Sequence, residues 1–155
     1  MTLIQELMNQ SMTAGNLSAA AIKRFTPAEI RETIQALVAT EQLELAYALG
    51  DAGLSLYPHS EDMLAISSLL AMMSQDWPLA VEMMEELVQI QGDTVPPFTY
   101  VMFVRALRCN LDPTRALAMA REGLKKYPGQ VELMAEKLSL DDFSDTLVPT
   151  AERTH

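Results

Sequence analysis

Cysteine, positive charge and aromatic side chains are what this sequence has least of. The single cysteine, Cys109, excludes an internal disulfide and any metal site built from several thiolates of one chain. Aromatic residues make up only 6 % of the 155 positions, so the core must come from Leu, Ala, Met, Val and Ile, a set that suits close packing of helices. From Glu32 to Tyr100 there is no lysine or arginine. That window holds Glu32, Glu41, Glu44, Asp51, Glu61, Asp62, Asp76, Glu82, Glu85, Glu86 and Asp93, while the basic residues flank it. Such a field repels phosphate backbones and argues against a nucleic-acid partner. It leaves two roles open, a solvated acidic face or an attraction for a basic partner or another copy.

Other absences narrow the function further. No apolar stretch reaches membrane-spanning length, and the opening MTLIQELMNQSMTAGN lacks the basic start and apolar run of a signal peptide. The expectation is a soluble cytoplasmic protein with no membrane insertion. There is no glycine-rich phosphate loop, zinc motif or nucleophile elbow. Of the two histidines, His59 lies in a Pro-His-Ser turn and His155 is terminal, neither with a partner at catalytic or ligand spacing. Cys109 sits beside Arg108, where an inert buried thiol outweighs a reactive one. The reading is a non-enzymatic protein with no cofactor and no metal.

What is present is helical periodicity. In SEDMLAISSLLAMMSQDWPLAVEMMEELVQIQG, from Ser60 to Gly92, apolar residues recur at helical spacing on both sides of Gln75-Asp76-Trp77-Pro78, which predicts two antiparallel helices with Asp76 as a cap. Thr26-Pro27-Ala28-Glu29 has the form of a capping box with proline at the first helical position. The helix it opens should end near Thr40. A partner from about Leu43 should stop at Tyr57-Pro58, because proline disfavours helix in the residue before it. Pro97 opens a further helix and Asp112-Pro113 caps its partner, which should end at Tyr127-Pro128. Three hairpins are expected, at about 26–58, 60–92 and 97–128. A capping helix at 129–138, an N-terminal helical extension over 1–25 and a disordered acidic tail over 139–155 complete the expected domain plan.

The hairpins carry a period. Ala46, Ala80 and Ala116, near the start of each second helix, are 34 and 36 residues apart. Pro58, Gly92 and Pro128 each follow their alanine by 12 residues. The small residue lets the two helices approach, and the proline ends the unit.

This pattern resembles the tetratricopeptide repeat (TPR) family over about Pro27 to Leu138. The alanines match the family's small residue, Pro58 and Pro128 its terminal proline, and Ile30, Leu64 and Tyr100 its large apolar residue in the first helix. Gly92 departs from the pattern. So do Ile34, Ser68 and Val104, where a glycine is expected, and Gly50, Met84 and Ala120, where an aromatic is. The resemblance implies an all-α fold, a right-handed superhelix of about three antiparallel hairpins. A helical bundle without superhelical curvature is the alternative.

The family's geometry also implies a concave surface lined by the first helices. Carried over by position, the groove would present Ala28, Arg31, Gln35 and Val38, then Asp62, Ala65, Ile66, Leu69, Met72 and Met73, then Phe98, Val101, Met102, Arg105 and Arg108. The Lys/Asn clamp with which some members hold a C-terminal carboxylate is missing. Met72 and Met73 fit either an adaptable groove or the core. Arg105 and Arg108 fit either a ligand carboxylate or bridges to Asp112 and its neighbours. The implied function is a protein-interaction module that takes a peptide or helix of a partner, with a secretion chaperone or adaptor as a specific version. The alternative is a structural subunit packed against a copy of itself, as in a homodimer, or within a larger assembly.

Overall fold

The computed structural model describes residues 19–147, with side chains over 21–142. Most of the expected N-terminal extension, residues 1–18, and the end of the acidic tail, 148–155, lie outside them. Described elements are all helical: α1 (Ala19–Ile22), α2 (Pro27–Ala39), α3 (Leu43–Leu56), α4 (Glu61–Met73), α5 (Trp77–Gln91), a 3-10 turn (Gly92–Thr94), α6 (Pro97–Cys109), α7 (Pro113–Lys126) and α8 (Val131–Leu147). The chain divides into two compact units, Met1–Ile90 and Gln91–His155.

The helix starts follow from local chemistry. Thr26 and Glu29 form the reciprocal capping box, each side chain accepting from the other's backbone N–H at 3.2 Å, with Pro27 where a missing N–H costs nothing. Ser60 accepts from Met63 N–H at 3.3 Å, Asp76 from Leu79 at 3.3 Å and Asp112 from Arg115 at 3.3 Å. Gln130 caps α8 by accepting from Glu132 at 2.8 Å. Each cap satisfies a donor that the first turn leaves without an intrahelical partner.

The hairpin turns share one geometry. Glu41, Gln75 and Leu111 have φ of +61°, +63° and +61°. The next N–H in each case reaches back over the turn, Gln42 to Leu37 O at 2.8 Å, Asp76 to Ala71 O at 2.8 Å and Asp112 to Leu107 O at 2.9 Å. This is the left-handed closure that glycine ordinarily supplies. Here three ordinary side chains hold it, 34 and then 36 residues apart. Gly92 ends α5 in the same region, φ +56°, in the place where the other units have proline.

In the first unit, α2 packs on α3 and α4 lies against both, with α1 against α3. The core joins Ile22, Phe25, Ile30, Ile34, Leu37, Ala46, Leu49, Met63, Ile66 and Leu70. In the second, α6 packs on α7 and α8 lies against both. Tyr100, Phe103 and Leu107 of α6, Ala116 and Ala120 of α7, and Leu133 and Leu140 of α8 are buried. Each unit contains a close helix crossing of the same kind. A Cβ on Gly53 would stand 3.1 Å from Ile30 Cγ2 and 2.6 Å from Met63 Cε. One on Gly123 would stand 2.9 Å from both Tyr100 Cγ and Leu133 Cδ1. Gly53, Ile30 and Met63 each precede Gly123, Tyr100 and Leu133 by 70 positions.

One boundary differs from expectation. The final helix was expected to end at Leu138 and runs to Leu147. Of the acidic residues that suggest a solvated tail, Asp141 is anchored instead. Lys137 Nζ donates to Asp141 Oδ2 at 2.8 Å one turn away, Arg121 lies 3.8 Å from Asp141 Oδ1, and Leu140 is buried.

Candidate interaction faces and cleft

The residues expected to line a groove divide by unit. On α2, Arg31 Nη1 donates to Asp62 Oδ1 of α4 at 3.2 Å, both side chains about a third exposed, and Gln35 is exposed. Along α4, Ala65, Leu69 and Met72 are half-buried and Met73 is 39 % exposed. Leu69 and Val38 pack at the margin of the core cluster, and Ile66 lies inside it. One side of α4 therefore faces inward through Met63, Ile66 and Leu70, and the other keeps an apolar strip open to solvent. The strip exists because α4 carries apolar residues around more of its circumference than α2 and α3 can cover.

On α6 the expectation needs correction. Phe98 is 60 % exposed, but Val101 and Met102 are buried and offer no surface to a ligand. The helix is buried on nearly all sides, from Thr99 through Val104 and at Ala106 and Leu107. Spacing could not show this, because Val101 and Met102 lie between Phe98 and Arg105, which keep access to solvent, and only the packing of neighbouring helices decides where the covered face ends. Arg105 and Arg108 are engaged by a partner the sequence reading did not name. Arg105 Nε donates to Glu136 Oε1 at 3.0 Å and its Nη2 lies 3.5 Å from Glu132. Arg108 Nη2 donates to Glu136 Oε1 at 3.4 Å, and its Nε lies 3.1 Å from Glu136 Oε2. Glu136, 8 % exposed, is thereby a buried carboxylate held between two guanidinium groups, which fastens α8 to α6. Glu136 lies at the same 31-residue distance from Arg105 as Asp62 from Arg31, an interval that has meaning only once the first pair is seen in the structure.

A cleft of about 170 Å³ opens in the first unit among α3, α4 and α5. Tyr47, Gly50, Asp51 and Leu54 line it from α3, Ser67, Leu70 and Ala71 from α4, and Leu79 and Met83 from α5, with Ser74 beside them. Gly50 stands where the resemblance leads one to expect an aromatic. The methionines split between roles: Met83 and Met84 are buried, Met72 and Met73 are not. His59 Nδ1 pairs with Glu86 Oε1 at 2.8 Å on an exposed surface, and Cys109 is half-buried. No helix among the described residues is long and apolar enough to cross a membrane.

Comparison with known proteins places this geometry. No protein-family model matches the chain, and no curated protein matches it either. A solved structure, "MamA RS-1 ArsTM double mutant", matches with a TM-score of 0.57 over 92 % of this chain and 93 % of that one, at 11 % identity. That protein is TPR-like. The fold is a TPR-like helical repeat. At this identity the likeness speaks for the fold, and the side chains must speak for the rest. Within the fold, the turns at Glu41, Gln75 and Leu111 recur at the same 34- and 36-residue intervals as the buried Ala46, Ala80 and Ala116. Sequence reasoning missed Gly53 and Gly123, each seven residues after its alanine, although the shared interval was there to be read.

Proposed function

We propose that this protein is a non-enzymatic interaction module that binds a peptide or helical segment of a protein partner. Its first-unit surface on α2 and α4 takes the apolar side chains. The observation that carries the reading is the open strip of Ala65, Leu69, Met72 and Met73, bounded by the Arg31–Asp62 pair and Gln35. Methionine lends such a surface adaptability, since its unbranched chain can refit to different anchors. Phe98 is an exposed aromatic anchor on the second unit. Arg105 and Arg108 serve α8 first, through Glu136, and contribute to a partner through their exposed edges. A secretion chaperone or adaptor of the cytoplasm is the specific role that fits a small acidic TPR-like chain.

The test is affinity capture from native extract with the wild type and a Met72→Glu, Met73→Glu variant, both checked by circular dichroism. A partner retained by the wild type and lost by the folded variant is expected. The same partner held equally by both would remove this face from consideration.

One observation favours a second reading, a structural subunit of an assembly. On α8, Val131, Met134 and Leu138 are exposed at spacings of three and four, an apolar stripe opposite buried Leu133 and Leu140. Light scattering separates the two readings: a concentration-dependent oligomer lost on Met134→Glu supports assembly through α8.

A further inference from the structure

The cleft among α3, α4 and α5 lies outside the α2–α4 strip, and its chemistry is of a different kind. Its wall is apolar, from Tyr47, Leu54, Leu70, Ala71, Leu79 and Met83, and about 170 Å³ gives room for a large side chain. Within that wall sits Ser67, 6 % exposed, whose hydroxyl has no hydrogen-bond partner among the described residues. The neighbouring serine shows what is missing: Ser68 Oγ donates to Leu64 O at 2.6 Å. A buried polar atom left unpaired destabilises its surroundings, and a ligand that offers an acceptor for the Ser67 O–H relieves it.

Charge says what sort of ligand. The three helices that form the cleft contain no lysine or arginine, and they carry Glu44, Asp51, Glu61, Asp62, Glu82, Glu85 and Glu86. Asp62 is paired with Arg31 and Glu86 with His59. Asp51, on the cleft itself, is exposed. Glu44 lies two turns before it on the same side of α3, and Glu82 one turn after Leu79 on α5; both are exposed. A row of carboxylates spread over several turns suits a row of cations on one chain better than a single small amine.

We propose that this cleft docks a basic amphipathic segment of a partner protein, one apolar side chain entering between Leu54, Leu70 and Met83 while lysines or arginines meet Asp51, Glu44 and Glu82. Ser67, which lacks the acceptor that Ser68 finds, donates its O–H to a carbonyl of the incoming segment. The site is independent of the α4 strip, so either can fail alone.

The experiment uses the isotopically labelled full chain and two capped synthetic helical peptides, one with leucines flanked by lysines and its counterpart with glutamates. Backbone amide shifts are followed in titration. The lysine peptide is expected to shift Gly50, Asp51, Ser67, Ala71 and Leu79 saturably, at least about ten-fold more tightly than the glutamate peptide and more weakly as salt rises. Asp51→Lys and Leu79→Asp change exposed side chains and keep the fold; each is expected to weaken the lysine peptide about ten-fold. The proposal is overturned by absence of binding up to about 1 mM, by equal binding of both peptides, or by indifference to both variants. Shifts confined to Leu69, Met72 and Met73 overturn it too, while supporting the α4 strip.

Discussion

Tyr127 Oη donates to the carbonyl of Val95 at 2.7 Å, and 70 positions earlier Tyr57 Oη donates to the carbonyl of Phe25 at 2.9 Å. In both units a tyrosine at the end of the second helix reaches back to the strand of chain that enters the first. Val95 is buried, so its carbonyl has little access to water as a substitute. Tyr127→Phe is expected to cost about 1–2 kcal/mol in urea unfolding, and Tyr57→Phe a similar amount. No loss at either position would show that the hydroxyls are bystanders to ring packing.

Gly53 and Gly123 occupy equivalent crossings but should respond differently to alanine. Helix propensity favours the substitution by about 1 kcal/mol at each. At Gly53 the nearest atom is Met63 Cε, the end of a flexible chain that can swing aside. At Gly123 it is the root of the Tyr100 ring, which is buried and cannot. Gly53→Ala is expected to be near neutral, and Gly123→Ala to destabilise by up to about 2 kcal/mol net, since overpacking costs about 1–3 and propensity returns about 1. Reversal of that order in thermal unfolding would contradict the packing described.

Leu111 is 88 % exposed and holds φ +61°, a conformation in which a leucine side chain gains nothing from burial and bears steric cost. Leu111→Gly should therefore stabilise the protein by roughly 0.5–1 kcal/mol, against the usual direction for glycine. Gln75→Gly is expected to act alike at φ +63°. Denaturant midpoints that fall for both would mean that the side chains contribute more than the backbone loses.

Glu136 is the common acceptor of Arg105 and Arg108. Glu136→Ala leaves two guanidinium groups facing each other, and a loss of about 2–4 kcal/mol is expected, centred on release of α8. Hydrogen exchange along Val131–Leu147 is the sharper readout, and protection should fall there first.

Much of this fold was legible because its signals are local. Caps at Thr26, Asp76 and Asp112 and the Tyr-Pro endings at 57–58 and 127–128 mark where helices begin and end, and the structure puts them there. The 34–36 residue interval made the repeat visible despite weak signature residues. The surfaces were harder to read. Val101 and Met102 have the same character as Leu69 and Met72, and only packing decides which pair is covered. Glu136 reads as one more surface carboxylate until α8 brings it between two arginines. The cleft has no signature at all, because nothing in the spacing of Gly50, Ser67 and Met83 marks them as neighbours on one surface. In the last helix, acidic composition suggested disorder where one pairing at i, i+4 and a buried leucine were enough to sustain the helix.

The ties that close these units are short in sequence. Tyr57 to Phe25 spans 32 residues, Arg31 to Asp62 spans 31, Tyr127 to Val95 spans 32, and Arg105 to Glu136 spans 31. Each is completed within about one hairpin of chain, so none of them waits for a distant segment to arrive. Low contact order of this kind predicts folding in microseconds to milliseconds. During synthesis the first hairpin can close on itself as soon as Leu43–Leu56 and Tyr57 have left the ribosome, long before α8 exists. A nascent chain built this way spends little of its life with apolar helix faces exposed.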